Sequence, residues 1–372
     1  LSEALGRVLR EQLAATTPIP AFDHSAMDGY AVRVADFSAE GPWTLPVIGE
    51  SRTGGLAPKL EAQSACRIFT GAALPEGADA VVMQEDVERD GSSARFSERP
   101  PRHAHVRLSG EDLETGAVAL DRGTRLGPTQ IGLVASLDRP TLLVSRRPRV
   151  HIVCTGDELR APGDPPRPGS IPESNGTALA AFVTALGGAP TLLPYARDDR
   201  DETQRSIDRA LTESDLVLTV GGASVGDHDL VRPALEAAGA SLDFWKVRIK
   251  PGKPLIFGKR GEVSILGLPG NPVSALVTFV LFGAPLLRSL AGDARAVPMF
   301  RSAQLTAPLR QKPGRRGFYR ATLQGDEVTV LSNQASGAPT SMAWANCLAI
   351  VPEDSEGYEQ GARVSVLALG DV

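Results

Sequence analysis

Only three cysteines, Cys66, Cys154 and Cys347, occur in 372 residues, and they lie too far apart to form a metal-ligand motif. Such sparse thiols are expected to be reduced, which places the chain in the cytoplasm. Aromatic residues make up 5%. None of the five histidines pairs at zinc spacing, and no Ser-His-Asp set can be assembled. Excess positive charge is also missing: the formal net charge is −5, which argues against a general nucleic-acid binder. An anionic ligand would have to be held by local groups. Long hydrophobic runs are lacking too. The greasiest stretch, 273–287, contains Ser274, Thr278, Gly283 and Pro285 and falls short of the ~20 residues of a membrane span. It reads as a buried helix, with no membrane association. No signal peptide is visible, and the chain starts at Leu1 already in a helical pattern, so some N-terminal sequence is expected to be missing.

What is abundant is turn chemistry: 38 glycines and 29 prolines. The length exceeds one ordinary domain. Helical periodicity over 1–14 sets Leu5, Val8, Leu9 and Leu13 on one side. An extended segment follows at 22–34, and short strands broken by Gly, Pro and Ser fill 42–119. A helix is predicted at 129–137 and a strand at 141–145. From Pro148 the rhythm is α/β, with strands at 150–154, 191–195 and 216–220 and helices at 174–186, 201–211 and 230–238. That alternation predicts a parallel sheet covered on both faces. From 297 short strands return. The expected divisions are 1–40 with 117–147, a β-rich insertion at 41–116, an α/β domain at 148–296 and a β domain at 297–372.

Three glycine-rich turns fall in the α/β region: Gly221-Gly222-Ala223-Ser224-Val225-Gly226, Lys250-Pro251-Gly252-Lys253-Pro254 and Pro269-Gly270-Asn271-Pro272. A buried strand ending in such a turn leaves backbone N–H groups free for an anion. The first turn is neither G-x-G-x-x-G nor a P-loop. Asp227 and Asp229 behind it suit either a helix N-terminus or a divalent cation held against a phosphate. Lys246, Lys250 and Lys253 are either solvated charges or ammoniums converging on an oxyanion. Asn271 and Pro272 fit a helix start, which is an anion site by its own dipole. Thr155-Gly156-Asp157-Glu158 is a polar turn or a metal- or heterocycle-binding element.

These segments together resemble the molybdopterin molybdenumtransferase family, the molybdenum insertases related to the E domain of gephyrin. The resemblance is carried by Phe22-Asp23-His24-Ser25-Ala26-Met27-Asp28-Gly29-Tyr30, Ile68-Phe69-Thr70-Gly71-Ala72, Pro75-Glu76-Gly77-Ala78-Asp79 and Gly110-Glu111-Asp112. It continues through Thr155-Gly156-Asp157-Glu158, Ser174-Asn175, the three glycine turns, and Gln334-Ala335-Ser336-Gly337. It spans nearly the whole chain in the family's order. The implied fold is multidomain α/β, with a three-layer α/β/α molybdopterin-binding domain, a β-rich insertion and a C-terminal β-barrel-like domain. The implied activity is ligation of molybdate to adenylylated molybdopterin with release of AMP, assisted by Mg2+.

By that resemblance Thr155, Gly156, Asp157, Ser174, Asn175, Gly221, Gly222, Ser224, Gly226, Lys246, Pro251, Gly252, Pro269, Gly270, Asn271 and Pro272 hold the pterin and its phosphates. Glu158, Asp198 and Asp227 form the metal side. Lys253, Pro254, Ser274, Arg320 and Ser336 hold molybdate, with Arg315 and Arg316 competing for the role of Arg320. Lys250, Lys253 and Asp227 are expected to be catalytic. Asp28 and Asp112 would join them across the subunit boundary of a homodimer. An upstream adenylyltransferase and molybdoenzyme acceptors are the implied partners. The alternatives are a molybdopterin adenylyltransferase and a non-catalytic scaffold of the same fold.

Overall fold

The computed structural model describes residues 1–38, 40–222 and 230–371. The chain divides into two compact units. One comprises Leu1–Glu3, Glu11–Arg122 and Pro128–Leu142; the other comprises Ala4–Arg10, Gly123–Gly127 and Leu143–Val372.

In the first unit, β1 (Gly29–Val32), β2 (Trp43–Ser51), β3 (Ala65–Ile68), β4 (Ala80–Met83), β5 (Val87–Asp90) and β6 (Ser93–Phe96) form a sheet in the order β4-β1-β3-β2-β6-β5. The β2–β3 pair is parallel and the others antiparallel. Inward-facing residues meet in a core of Tyr30, Val32, Phe37, Leu45, Ala94 and Phe96. Helix α1 (Pro128–Ser136) opens on a proline, whose missing N–H has no helical partner at that position.

The N-terminal helix expected over 1–14 does not form. One turn of 3₁₀ helix covers Ser2–Ala4. Gly6 then takes φ +74°, a left-handed conformation that ends a helix. In the second unit, Gly6 and Leu9 donate to Leu126 and Thr124, which satisfies the backbone by β-type bridging. The apolar spacing reflects burial of Val8 and Leu9 in that extended form. The strand expected at 141–145 is reduced to a bridge between Val144 and Leu9.

The second unit is built on β7 (Arg149–Cys154), β8 (Ala189–Leu192), β9 (Leu216–Val220), β10 (Ser241–Lys246), β11 (Pro254–Arg260) and β12 (Val263–Leu268), in the order β8-β7-β9-β12-β11-β10. The first four are parallel. The expected parallel sheet stops at β11, which runs antiparallel to both of its neighbours, β12 and β10. The reason is local: only Gly261 and Glu262 separate β11 from β12, too few residues for a crossover.

Helices α2 (Asn175–Ala185), α3 (Arg200–Thr212), α4 (Val231–Ala237), α5 (Pro272–Thr278) and α6 (Ala284–Leu290) cover both faces. Leu216, Leu218 and Val220 of β9 point to a core shared with Leu179, Val183, Ala275, Phe279 and Leu287. Val217 points the other way, to Ile207, Leu211, Val231 and Leu235. Alternate residues thus feed opposite layers, giving α/β/α.

A π-helical turn, Phe279–Gly283, joins α5 to α6 into a helix of 19 residues, Pro272–Leu290. This corrects the shorter span read from the sequence: the helix is long and apolar enough to cross a membrane. Val273, Val277, Phe279, Val280 and Leu287 are nevertheless buried in the protein, as the buried-helix reading expected.

Beyond it, β13 (Arg301–Leu305), β14 (Arg316–Gln324), β15 (Glu327–Val330), β16 (Cys347–Val351) and β17 (Arg363–Ala368) close into a five-stranded barrel in the order β14-β15-β13-β17-β16-β14. Tyr319, Ala321, Ala349 and Val366 fill its interior. Phe318, Leu348, Ile350 and Leu367 face outward onto Val273, Val277 and Val280. The barrel also pairs with the strand Ile249–Lys250, in register Ile249 to Arg316 and Lys250 to Gly317.

At the other end of the sheet, Asp215 accepts from Arg146 Nη2 at 2.7 Å and from the Arg149 N–H at 2.8 Å. Arg146 is the main reason its carboxyl is pulled down to about 2. A depressed carboxyl stabilises the fold above its unfolded value of about 3.9 and loses that contribution as pH falls toward its folded value. Urea titrations of the native chain and of Asp215→Asn should therefore differ by about 1–2 kcal/mol at pH 6, after discounting for the exposed arginine, and converge near pH 2.

Candidate active site

Because β7, β9 and β12 are parallel, their carboxyl ends share one edge. There β7 runs into Thr155-Gly156, β9 into Gly221-Gly222 and β12 into Pro269-Gly270. Since β11 is antiparallel to β12, its first residue, Pro254, stands at that same edge, preceded by the lysine turn. Thr155 N donates to Val220 O at 3.0 Å and Gly221 N to Leu268 O at 3.3 Å, which ties the three ends together.

Gly221 has φ +90°, and a Cβ there would stand 2.7 Å from the Thr155 carbonyl oxygen. At Gly252, φ +105°, a Cβ would lie 2.3 Å from Thr278 Cγ2. Both turns therefore require glycine.

Two adjacent cavities open along this edge and share Pro254. The larger, about 610 Å³, is lined by Thr155, Gly156, Glu158, Glu173, Ser174, Asn175, Asp198, Gly221, Gly222, Pro269, Gly270, Asn271 and Pro272, among others. Asn175 Nδ2 donates to Gly270 O at 2.7 Å, while its Oδ1 is buried without a partner among the described residues. A buried acceptor left open in this way is suited to a ligand N–H or O–H. Ser174 and Asn271 occupy helix-cap positions, yet neither side chain makes a capping bond. Helix α2 is capped instead by Glu173, 2% exposed, whose carboxylate accepts from Gly176 N at 2.5 Å and Thr177 N at 3.2 Å.

The smaller cavity, about 300 Å³, is lined by Lys250, Pro251, Gly252, Lys253, Pro254, Ser274, Arg315, Phe318, Tyr319, Arg320, Gln334 and Ser336. Four of these carry positive charge, two offer serine hydroxyls, and none is a carboxylate. Ser274 is 4% exposed and Arg320 1%. Arg316 does not line it; its Nε donates to Glu353 at 3.0 Å. Arg315 and Arg320 are thus the two arginines of this stretch on the cavity.

Two further sequence candidates are described in the same unit. Lys246 ends edge strand β10, exposed and opposite Pro254 in register, and lines neither cavity. Asp157 lines neither, but its Oδ1 accepts from Asp198 N at 3.2 Å. Ser224, Gly226 and Asp227 lie outside the described residues. Asp28 and Asp112 belong to the first unit. Asp28 Oδ1 accepts from Thr70 N at 2.7 Å and Thr70 Oγ1 at 2.8 Å, bonds that hold its carboxyl below the ordinary value. Asp112 is exposed.

Glu158 and Asp198 are both exposed carboxylates on the larger cavity. No group of three metal-ligating side chains occurs among the described residues. Magnesium prefers one or two carboxylates and completes its shell with water and phosphate oxygens, so the chemistry of this pair is compatible with it. All three cysteines are buried and unpaired. Sequence reasoning missed Glu173 and Gln334 as site-building residues. An acidic residue shortly before a helix was the available sign for the first; the second stood only within the Gln334-Ala335-Ser336-Gly337 segment, with no role read from it.

Three family profiles match the chain: the MoeA N-terminal region (domain I and II) over residues 1–137, a probable molybdopterin binding domain over 151–289 and the MoeA C-terminal region (domain IV) over 302–369. The chain is 37% identical to the molybdopterin molybdenumtransferase of Haemophilus influenzae, over 98% of its own length and 92% of the relative's. It is 39% identical to molybdopterin molybdenumtransferase 2 of Mycobacterium tuberculosis, over 99% and 94%. The crystal structure of the molybdopterin biosynthesis MoeA protein from Pyrococcus horikoshii OT3 superimposes with a TM-score of 0.85 at 31% identity, covering 99% of this chain and 93% of that one. Full-length relatedness of this order, with a cationic pocket beside a glycine-lined cleft, makes the chain a member of the MoeA family of molybdopterin molybdenumtransferases, enzymes of molybdenum cofactor biosynthesis.

Proposed function

We propose that the chain ligates molybdate to the dithiolene of adenylylated molybdopterin, with AMP leaving as the phosphoanhydride is cleaved. The observation that carries this reading is the pairing of a cavity lined by four cations and no carboxylate with a larger cleft built from strand-end glycine turns.

The oxyanion enters the smaller cavity. There Lys253, Arg315 and Arg320 offset its charge, and Ser274 and Ser336 donate to its oxygens beside Pro254. The pterin and its phosphates lie in the larger cleft. Asn175 Oδ1 accepts from the ligand, and the Gly221-Gly222 and Gly270 turns allow close backbone approach. Ser224 and Gly226 complete this binding set. Lys250 and Lys253, on the turn between the cavities, stabilise the negative charge that develops on the departing phosphate.

Glu158 and Asp198, together with Asp227, would hold Mg2+, which supplies charge neutralisation at the anhydride when bound. We place the protein in the cytoplasm as a homodimer in which Asp28 and Asp112 serve the partner's cleft. The adenylyltransferase lies upstream and molybdoenzymes downstream. The division into 1–40 with 117–147, 41–116, 148–296 and 297–372 belongs to the same proposal.

Mixing the purified chain with adenylylated molybdopterin, Mg2+ and molybdate should release AMP and yield active cofactor. Lys253→Gln and Asp227→Ala should each slow AMP release about 100- to 1000-fold, as loss of a transition-state contact does. Unchanged turnover would remove that residue from the chemistry. ATP consumption with molybdopterin in the absence of molybdate would instead identify the adenylyltransferase reaction. For Gly252→Ala, the clash with Thr278 should lower unfolding stability by about 1–3 kcal/mol and weaken tungstate binding in calorimetry. Native-like values for both would show that the turn tolerates a side chain.

A further inference from the structure

Arg320 differs from the other arginines of the barrel. Arg310, Arg316 and Arg363 each meet a carboxylate, of Glu359, Glu353 and Asp326 respectively. The guanidinium of Arg320 meets only neutral oxygens among the described residues. Nε donates to Ser341 Oγ at 3.3 Å, and Nη2 donates to Asn333 O at 3.3 Å and Ala335 O at 3.1 Å. Gln334 clasps the backbone of the same residue: its Oε1 accepts from Arg320 N at 3.1 Å and its Nε2 donates to Arg320 O at 2.9 Å. All but the Ser341 bond hold one short stretch, 333–335, and the residue that follows is Ser336 on the cavity wall. The Ser336 carbonyl in turn accepts from Val273 N at 3.0 Å, which fastens the barrel loop to the start of α5.

A desolvated cation held by neutral dipoles alone is only partly compensated. Burial accordingly makes the guanidinium less basic than an ordinary arginine. Nε and Nη2 are hydrogen-bonded, while the charge has no counter-ion among the described residues.

We propose that Arg320 is a positioning residue: its buried guanidinium clamps the 333–335 backbone and so sets Ser336, and the oxyanion supplies the missing counter-charge that locks the clamp shut. The proposal rests on the smaller cavity being the oxyanion site. An anion that binds only the closed clamp shifts the opening equilibrium by its own binding factor. Exposed Arg315, also on the cavity, has no such bonds to the loop and contributes charge alone.

The test combines backbone hydrogen exchange of 331–341 with tungstate calorimetry on the full chain. In the native protein, tungstate at a hundredfold excess over its Kd should slow exchange in this segment by up to about a hundredfold. Arg320→Gln should raise loop exchange at least about tenfold without any anion, weaken tungstate binding, and make an added Ser336→Ala change nearly silent. Arg320→Lys keeps the charge without the fork and should not restore loop protection. Arg315→Gln should weaken binding, leave anion-free loop exchange unchanged and add fully to Ser336→Ala. Ser341→Ala, which removes a single clamp bond, provides the same exchange readout if Arg320→Gln does not fold.

Unchanged anion-free exchange in the Arg320 and Ser341 variants, or full additivity of Arg320→Gln with Ser336→Ala, would overturn the clamp while leaving the oxyanion reading intact. A native protein that does not bind tungstate would overturn both.

Discussion

The two-residue turn at Gly261 and Glu262 decides where the cations of this protein meet its glycine turns. By forcing β11 to run antiparallel to β12, it puts the start of β11 beside the carboxyl ends of β7, β9 and β12. A parallel crossover at this point would place the lysine turn at the opposite edge. The same turn is then held from outside, because Ile249–Lys250 pairs with β14 of the barrel and the barrel packs on α5. Sheet, helix and barrel thus fix one segment from three directions; it lines the smaller cavity, and its Pro254 is shared with the larger.

Charge is segregated along that edge. The smaller cavity gathers Lys250, Lys253, Arg315 and Arg320 with no acidic side chain on its wall, whereas the larger carries Glu158, Glu173 and Asp198. Like charges brought together repel one another, and a bound anion relieves that repulsion. A chain with net charge −5 can therefore concentrate an oxyanion locally without any general affinity for polyanions. The carboxylates next door serve a different purpose: Glu173 is spent on the N–H groups of α2, while Glu158 and Asp198 stay exposed.

Much of the site was legible in the chain because glycine and proline chemistry is local. Positive φ at Gly221 and Gly252 and a proline at the start of α5 are requirements of a few consecutive residues. The α/β alternation likewise gave the helices α2, α3 and α4 and the strands β7 and β9 close to their observed limits. Illegible parts depended on distant partners. Leu5, Val8, Leu9 and Leu13 imitate a helix, but 123–126 supplies β-type partners across more than a hundred residues. Lys246 sits seven residues from Lys253 and pairs opposite Pro254, yet it lines neither cavity because it ends an exposed edge strand. Gln334 gave no sign of its hold on Arg320, since that pairing exists only once β14 and the following loop are folded together.

The order of residues alone determined the family, the α/β rhythm and the identity of the turns, because each follows from spacing and from the backbone freedom of single residue types. Tertiary structure alone decided which cations share a cavity, which arginine loses its solvent, and which carboxylate caps a helix. Those outcomes depend on distance and burial between segments far apart in the chain, quantities that no local pattern carries.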